Sequence, residues 1–307
     1  MNRDIKNILV TGSSGTIGTA LCEFLMARDY RITGIDIRHN KWNDQIDKLT
    51  IISDLRKANF HTALKQDVDL IIHLAANARV YDLVERPKLA RDNFLMVFNV
   101  LEYVRASNIK RLVFASSREV YGNSDNAYRN ENEVSVSSCE SPYSATKLAG
   151  EALFHSYSYC YDIGSVILRF SNVYGKYDDS NRVIPVFMKR SMQNKNLIVF
   201  GEHKILDFTY IDDCIKGIVR VIENFNQVCG NTFNIATGKG TSIMQVADMI
   251  KDKTGSNSRI IIKESRTGEV TNFIADITKA KKLLGYDPKI NIQEGIERSF
   301  EWYREYK

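Results

Sequence analysis

A glycine-rich segment after the first apolar run constrains the fold more than any other feature of the sequence. Ile8–Thr11 has the length and composition of a buried strand, and it leads into Gly12–Gly18 (GSSGTIG) and a predicted helix over Ile17–Arg28. Glycines at this spacing permit a tight turn, close approach of the backbone to a diphosphate, and close helix–strand packing. The helix N-terminus adds amide donors and partial positive charge. We therefore predict a dinucleotide site that includes Gly12, Ser14, Gly15, Thr16, Ile17 and Gly18.

Apolar runs alternate with helical patterns through the first half of the chain. Continuous apolar strands indicate a parallel sheet that is covered on both faces, and right-handed crossovers then give a doubly wound, Rossmann-type α/β fold. The predicted strands are Arg31–Asp36, Leu49–Ser53, Asp69–Leu74, Arg111–Ser116 and Ser165–Phe170, and the predicted helices include Lys88–Ala106 and Tyr143–Tyr161.

The pattern becomes less regular after about residue 175. A polar segment, Lys176–Asn181, is followed by mixed helices and short strands, and Asn123–Asn132 is typical of a surface loop. We predict a cofactor-binding domain over residues 1–175 and a smaller C-terminal substrate-binding lobe over residues 176–307, with some elements crossing back to the sheet. The later elements are predicted at Val183–Gln193, Asp207–Ile211, Asp212–Asn224, Thr232–Ile235, Ser242–Lys253, Arg259–Lys263 and Ile292–Tyr306.

Composition excludes several other classes of protein. The chain has 307 residues, 44% hydrophobic and 26% charged, with a net charge of +5 and dispersed basic residues, so no nucleic-acid partner is expected. It has no apolar run of about 18 residues and no signal-peptide pattern at its N-terminus, so we expect a cytoplasmic protein without a membrane partner. Five scattered cysteines without CxxC spacing and five histidines without an HxxxH pair argue against disulfides and a metal site.

The residues after the second predicted strand indicate which dinucleotide binds. Asp36 lies eighteen residues after Gly18, where a carboxylate accepts from a ribose 2′-hydroxyl and repels a 2′-phosphate. This favours NAD over NADP, although Arg38 is a residue type that accommodates a 2′-phosphate. Ile37 and Arg38 are assigned to the same site.

Tyr143 and Lys147 suggest redox chemistry at an alcohol carbon. They are four residues apart on a predicted helix and so share one face. A phenol with a pKa near ~10 is a poor base, but a neighbouring ammonium and a positive nicotinamide ring favour the phenolate. Such a tyrosine takes a proton from a sugar hydroxyl while hydride leaves the same carbon. Ser117 lies at the C-terminal end of the preceding strand, where open α/β sheets bind ligands.

Together these segments resemble the extended short-chain dehydrogenases/reductases of the NAD-dependent nucleotide-sugar epimerase/dehydratase family, which includes UDP-glucose 4-epimerases. The resemblance extends from Ile5 to about Pro288. The matching segments are TGSSGTIG, Asp36, Asp54-Leu55, HLAA (His73–Ala76), Asn93, SSREVYG, SPYSATKLAGE, LRFSNVYG, DFTYIDD and RTGEV.

The resemblance implies roles for individual residues. Ser117, Tyr143 and Lys147 would be the catalytic set, with Ser117 and Tyr143 also touching substrate and Tyr143 and Lys147 also touching the cofactor. Asn172 and Arg266 would hold the substrate diphosphate. The remaining cofactor contacts would be Asp54 and Leu55 beside the adenine, Leu74, Ala75 and Ala76 along the cofactor channel, and Asn93.

Two positions carry information about the reaction and the substrate. Glu119 lies where dehydratases and decarboxylases of this family have a general-base glutamate, yet Arg118 replaces the acid that precedes it in 4,6-dehydratases. Alternatively, Glu119 is structural and pairs with Arg118 or a backbone amide. Leu206 stands where the family often has a diphosphate-binding arginine. The cations that would compensate are Arg182, Lys189, Arg190 and Lys204.

The favoured hypothesis is a 4-epimerase of a UDP-hexose or UDP-hexuronate that works through a transient 4-keto sugar. Arg118 or Arg182 would meet a uronate carboxylate. The alternative is a dehydratase, decarboxylase or 4-dehydrogenase that begins with the same oxidation, with Glu119 as a catalytic residue. A non-catalytic NAD-binding sensor is disfavoured because Tyr143 and Lys147 are both present. Surplus apolar residues on the helices Lys88–Ala106 and Tyr143–Tyr161 predict a homodimer: Phe94, Leu95, Val97, Phe98, Leu101, Leu148, Leu153, Phe154 and Tyr157.

Overall fold

The structure, a computed structural model, describes residues 4–64 and 67–306. Its strands are β1 (Asn7–Thr11), β2 (Arg31–Asp36), β3 (Thr50–Ile52), β4 (Leu70–His73), β5 (Arg111–Ser117), β6 (Tyr128–Arg129), β7 (Gly164–Phe170), β8 (Asn172–Tyr174), β9 (Leu197–Phe200), β10 (Ile205–Tyr210), β11 (Thr232–Ile235), β12 (Gly240–Ser242), β13 (Ile260–Lys263) and β14 (Asn272–Ala275). Its α-helices are α1 (Thr16–Met26), α2 (Asp44–Leu49), α3 (Val80–Glu85), α4 (Lys88–Ala106), α5 (Pro142–Tyr161), α6 (Val183–Ser191), α7 (Ile211–Glu223), α8 (Phe225–Val228), α9 (Ile243–Thr254), α10 (Thr278–Leu284) and α11 (Ile292–Glu305). Short 3₁₀ helices span Phe60–Ala63, Arg118–Tyr121 and Val136–Ser138.

The central sheet has seven parallel strands in the order β11-β7-β5-β4-β1-β2-β3. Strands β4 and β5 are buried throughout, and separate apolar clusters cover the two faces of the sheet. The strand order reverses between β1 and β4, and ligands of doubly wound sheets bind in the crevice at such a reversal. The predicted doubly wound α/β fold is confirmed.

The N-terminus of α5 is fixed by a capping box. The Ser141 hydroxyl accepts from the Ser144 backbone N–H at 3.2 Å, and the Ser144 hydroxyl accepts from the Ser141 N–H at 3.1 Å. Pro142 occupies the first turn, where its missing N–H costs nothing. These local contacts begin the helix immediately before Tyr143 and so determine where the phenol lies.

Later elements, together with β6 and β8 from the first part of the chain, build smaller sheets beside the central one. Strands β12, β10, β14 and β6 form a second sheet in that order, with β8 also paired to β10, while β13 pairs with β9. By contrast, β11 joins the edge of the central sheet next to β7.

The structure corrects the loop predicted over Asn123–Asn132. Tyr128 and Arg129 form a short parallel strand against Ile274 and Ala275, and Arg129 is buried. Its partner lies far away in the sequence, so a polar segment with no apolar alternation becomes a strand through tertiary pairing.

Within residues 4–64 and 67–306, no helix combines the length and apolarity needed to cross a membrane. In the same residues, His, Cys, Asp and Glu side chains form no group of three or more that would hold a metal ion. All five cysteines are free thiols.

Candidate functional site

A cavity of about 530 Å³ lies between the central sheet and the later elements. This volume falls within the ~300–1,000 Å³ usual for small-molecule sites. Its walls include Leu74, Ser117 and Tyr143 from the first half of the chain and Asn172 and Arg266 from later segments. Predicted cofactor, catalytic and diphosphate residues therefore meet at one cavity.

The glycine segment makes the close approaches that its spacing predicts. Gly12 has a φ of 76°, and a Cβ atom there would lie 2.8 Å from the Ala75 backbone nitrogen. A Cβ atom on Gly18 would lie 2.0 Å from the Gly12 carbonyl oxygen. No side chain caps the N-terminus of α1, so amides of its first turn keep donors for a phosphate. Ile17, from that turn, reaches the cavity wall.

Asp36 has a structural role that sequence reasoning missed. Its carboxylate accepts from the Ser14 backbone N–H at 3.1 Å and the Arg38 N–H at 3.0 Å, and the Ser14 hydroxyl donates to the Arg38 carbonyl at 2.9 Å. Asp36 thus joins the loops that follow β1 and β2. A carboxylate has about four acceptor positions, so two remain for ribose hydroxyls. Ile37 is exposed, and the Arg38 side chain is 71% exposed.

Three predicted cofactor residues, Asp54 and Leu55 on the adenine side and Asn93, make contacts within the protein. The Asp54 carboxylate accepts from Arg56 Nη2 at 2.7 Å, and this contact lowers the pKa of Asp54. Leu55 is buried in the cluster that contains Phe60. Asn93 accepts from the Asn77 backbone N–H at 2.7 Å and donates to the Asn77 carbonyl at 3.1 Å, so it holds the loop that follows β4.

The segment after β4 brings two predicted cofactor residues to the cavity. Leu74 and Ala76 line it, whereas Ala75 lies against Gly12. Thr16 donates its hydroxyl hydrogen to the Tyr177 carbonyl at 3.1 Å, which links the start of α1 to the polar segment after β8. Of the predicted cofactor residues, Ile17, Leu74, Ala76, Tyr143 and Lys147 therefore line the cavity.

Tyr143, Lys147 and Ser117 converge at the end of β5. The Lys147 ammonium donates to the Ala115 carbonyl at 2.6 Å and lies 5.8 Å from the centre of the Tyr143 ring. Burial lowers the pKa of Lys147 to about 8, against the opposing charge of Glu151. Burial raises the pKa of Tyr143 to about 12, and its hydrogen bond with Ser117 opposes that rise. Without a further positive charge, the phenol therefore stays protonated.

Glu119 makes both contacts that the structural interpretation requires. One carboxylate oxygen lies 2.7 Å from Arg118 Nη2, and the other accepts from the Val270 backbone N–H at 3.4 Å. Both charged side chains are buried although they line the cavity. Burial raises the pKa of Glu119 and the charge of Arg118 opposes this shift. Both carboxylate oxygens of Glu119 therefore have partners within the protein.

The predicted diphosphate residues lie in the cavity wall. Asn172 donates to the Asp207 carbonyl at 3.0 Å, and the Arg266 guanidinium stacks 3.9 Å from the centre of the Phe200 ring. Leu206 is buried in the same wall.

The cavity is electropositive. An excess of basic residues in a low-dielectric cleft favours an anionic ligand. Of the described lining residues, three are acidic (Glu119, Asp178, Glu269) and seven are basic (Arg79, Arg118, Lys147, Arg182, Arg190, Lys204, Arg266).

A buried ion pair on the face of α5 that carries Lys147 was not predicted. Glu151 accepts two hydrogen bonds from Arg169, at 2.9 and 2.7 Å, and one from the Ser116 hydroxyl at 2.5 Å. Because Glu151 follows Lys147 by four residues on α5, it lies on the same helix face as the ammonium. The helical period could have predicted that Glu151 lies near Lys147. No local pattern in the sequence identifies Arg169 as its partner.

Comparison with known proteins agrees with this geometry. Residues 8–236 match the model of the NAD dependent epimerase/dehydratase family. A putative UDP-glucose 4-epimerase of Methanocaldococcus jannaschii is 34% identical over 306 residues, covering 97% of this chain and 98% of the relative. A UDP-N-acetyl-alpha-D-glucosaminuronate decarboxylase of Bacillus cytotoxicus is 28% identical, covering 98% of each chain.

A solved structure with bound ligands is also similar. The UDP-glucuronic acid 4-epimerase of Bacillus cereus, in complex with UDP-glucuronic acid and NAD, superposes with a TM-score of 0.89 at 30% identity, covering 98% of this chain and 100% of that one. The sequence match, the glycine segment and the Ser117–Tyr143–Lys147 cluster lead to one conclusion: the chain belongs to the NAD-dependent epimerase/dehydratase family.

Proposed function

We propose that this protein is a NAD-dependent 4-epimerase of a UDP-sugar, either a hexose or a hexuronate. The observation that carries the proposal is the convergence of Ser117, Tyr143 and Lys147 on an electropositive cavity beside the glycine segment. Similar proteins named as UDP-sugar 4-epimerases support it.

The residues present fit NAD. The uncapped first turn of α1 offers amides to the diphosphate, and Asp36 keeps acceptor positions for the adenosine ribose. We assign the predicted cofactor contacts other than Asp54, Leu55 and Asn93 to NAD, with Lys147 on the nicotinamide ribose. Asp54 and Leu55 shape the adenine side, and Asn93 the loop after β4, through their contacts with neighbouring residues.

When bound, NAD supplies a reversible hydride acceptor and a positive nicotinamide ring. Tyr143 takes the proton of the sugar 4-hydroxyl, and Ser117 orients that hydroxyl through its hydrogen bond with Tyr143. Lys147 and the nicotinamide charge together lower the phenol pKa, which burial otherwise holds near 12. The resulting 4-keto sugar rotates in the cavity, and Tyr143 returns its proton as the opposite face is reduced. No net redox change results.

A decarboxylase, dehydratase or 4-dehydrogenase is the second candidate. It is favoured by the decarboxylase relative and by the presence of Glu119 in the cavity wall. The pairing of Glu119 with Arg118 argues against it, since the carboxylate that would act as the base is already held in an ion pair. That pairing also removes Arg118 as a partner for a uronate carboxylate. Arg182 is also ion-paired, with Asp178 at 3.2 Å, but its side chain is 39% exposed whereas that of Arg118 is buried, so Arg182 is the arginine that still reaches a uronate carboxylate.

The test is proton NMR of the purified protein with UDP-glucose and with UDP-glucuronate, without added cofactor. We expect conversion of one of them to its C4 epimer, because NAD regenerated in each cycle stays bound. Denaturing the protein should release NAD. Formation of a stable 4-keto product or loss of CO₂ would favour the second candidate, and absence of any bound dinucleotide would contradict both.

Activity is expected to fall as the pH rises above about 8. Lys147 is protonated below its lowered pKa of about 8 and loses its charge above it, which removes a cation that favours the Tyr143 phenolate. In Lys147→Arg the guanidinium stays charged, so log kcat/KM should show no alkaline decline even though the maximum is lower. Profiles from about pH 6 to about pH 10 measure this. The same decline in the arginine variant would assign it to another group.

We propose a homodimer formed through α4 and α5. Of the apolar residues predicted for the interface, Val97, Leu101 and Phe154 are buried within the chain, while Phe94 and Phe98 remain 40% exposed one helical turn apart. These two rings are unusual for a solvent-facing surface.

Light scattering should therefore give twice the mass of the 35.1 kDa chain. Phe98→Glu should give the monomer mass, since a charge in an apolar interface is costly. Ile262→Glu, at an exposed site on β13, is the matched control and should stay dimeric. Wild-type protein with the monomer mass at micromolar concentration would rule the dimer out.

The two parts of the chain contribute different residues to the cavity walls. We propose that residues 176–307 act mainly as the substrate-binding lobe, because they contribute Arg182, Lys204 and Arg266. Residues 1–175 hold the cofactor and the catalytic set, and β11 crosses back to complete the central sheet.

We place the enzyme in the cytoplasm. Its five cysteines are all free thiols, which fits a reducing compartment. The sugar nucleotide and NAD that the proposed reaction requires are small anionic metabolites, and the electropositive cavity matches them.

A further inference from the structure

Lys204 is a buried cation in the cavity wall. It immediately precedes β10 and is only 5% exposed. Lys204 and Leu206 both line the cavity, whereas Ile205 between them faces outward, as expected for an extended segment. Lys204 is thus the cationic side chain that this segment presents on the same face as Leu206.

The charges around Lys204 do not balance. Its ammonium lies 2.6 Å from Glu269 Oε2, and Arg266 Nη1 lies 4.0 Å from the other oxygen of the same carboxylate. The neighbouring Glu119 is paired with Arg118. The single carboxylate of Glu269 therefore faces two cations, Lys204 and Arg266. The wall around them is largely apolar and includes Phe200 and Leu206. Unbalanced charge in such a place is costly unless an anion binds.

The other cations considered at this end are already engaged elsewhere. Lys189 donates to the Asp179 carbonyl at 3.0 Å and is absent from the cavity lining. Arg190 donates to the Asn196 carbonyl at 2.5 Å. Arg182 is ion-paired with Asp178. Lys204 differs from these three because it is buried in the cavity wall, whereas they are at least partly exposed, and because its carboxylate partner Glu269 is shared with Arg266.

We infer that Lys204, together with Arg266, binds the diphosphate of the nucleotide sugar, and that Glu269 is the counter-ion of Lys204 while the site is empty. The inference rests on the proposed function for its ligand. The diphosphate supplies the missing negative charge, and Lys204 provides it with a point-charge donor. Leucine at position 206 is then tolerated because the cation comes from two residues earlier on the same face.

Calorimetric titration of NAD-loaded protein with UDP and with uridine tests this. Lys204→Gln removes the charge but keeps a donor for Glu269, so the fold should persist, as a thermal denaturation curve will show. We expect UDP binding to weaken by about tenfold to a hundredfold, the usual loss for a charged hydrogen bond. Uridine lacks the diphosphate, so its affinity should not change.

Two further variants separate a ligand contact from a structural one. Adding Leu206→Arg to Lys204→Gln should restore UDP affinity, since the guanidinium enters the same wall. Lys189→Gln, which removes a cation outside the cavity lining, should leave UDP affinity unchanged. Equal weakening of UDP and uridine, unchanged UDP affinity in Lys204→Gln, or no rescue by Leu206→Arg would overturn the inference. Failure of wild-type protein to bind UDP would instead reject the proposed substrate class.

Discussion

Replacing Tyr143 by phenylalanine is expected to lower kcat by about 10²–10⁴-fold, the usual contribution of a positioned general base. The substitution removes one hydroxyl and leaves the ring that packs beside Lys147. No other described side chain next to Ser117 offers the same proton acceptor, because Lys147 donates to the Ala115 carbonyl and Glu119 is paired with Arg118. Turnover of UDP-sugar, followed by NMR, measures the loss.

The matched variant is Ser117→Ala. It removes the hydrogen bond to Tyr143 and leaves the acceptor in place, so kcat should fall by on the order of tenfold only. Both variants should keep bound NAD and wild-type thermal stability, which excludes a folding defect. Near wild-type turnover in a folded Tyr143→Phe variant would contradict the mechanism.

Much of the fold could be predicted because the central strands are buried on both faces. Runs such as Leu70–His73 read as strands from composition alone, and α4 spans Lys88–Ala106, the bounds that its periodicity predicts. The elements that were missed are short or held by distant partners. For example, β14 forms beside β10 and β6, and α2 begins at a cap supplied by Asn43.

The site was predictable where a local motif carries the chemistry. Spacing alone brings Tyr143 and Lys147 to one helix face, and the strand-order reversal brings Gly12 beside Leu74. The pairing of Glu151 with Arg169, and of Lys204 with Glu269, joins residues 18 and 65 positions apart. No pattern within a helix or strand encodes such pairs, since they depend on how the elements pack.

The role of Asn93 illustrates the same limit. The resemblance implied a cofactor contact, but its side chain is occupied by both backbone groups of Asn77. A residue can therefore belong to a family motif because it fixes a loop near the cofactor. Asp36 likewise joins two loops, and the acceptor positions it keeps are those that we propose for the ribose hydroxyls.

Replacing Glu119 by glutamine is expected to destabilise the protein by about 2–4 kcal/mol, because it leaves the Arg118 guanidinium buried without a counter-charge. Chemical denaturation measures this loss. The reaction should remain an epimerisation, since Glu119 is committed to Arg118 and the Val270 N–H and is not required to move a proton.

A double variant separates the charge effect from the shape of the cavity wall. Combining Glu119→Gln with Arg118→Met removes both charges, so it should recover part of the lost stability, since no guanidinium is then left buried without a counter-charge. A catalytic Glu119 would give a different result in the single variant, namely loss of product and not only loss of stability. If Glu119 were the base of an elimination or decarboxylation, a well-folded Glu119→Gln variant would oxidise the sugar and accumulate NADH without forming product. Accumulation of NADH, seen by absorbance, would overturn the epimerase proposal. A less stable enzyme that still yields the C4 epimer would show that Glu119 holds Arg118 in place.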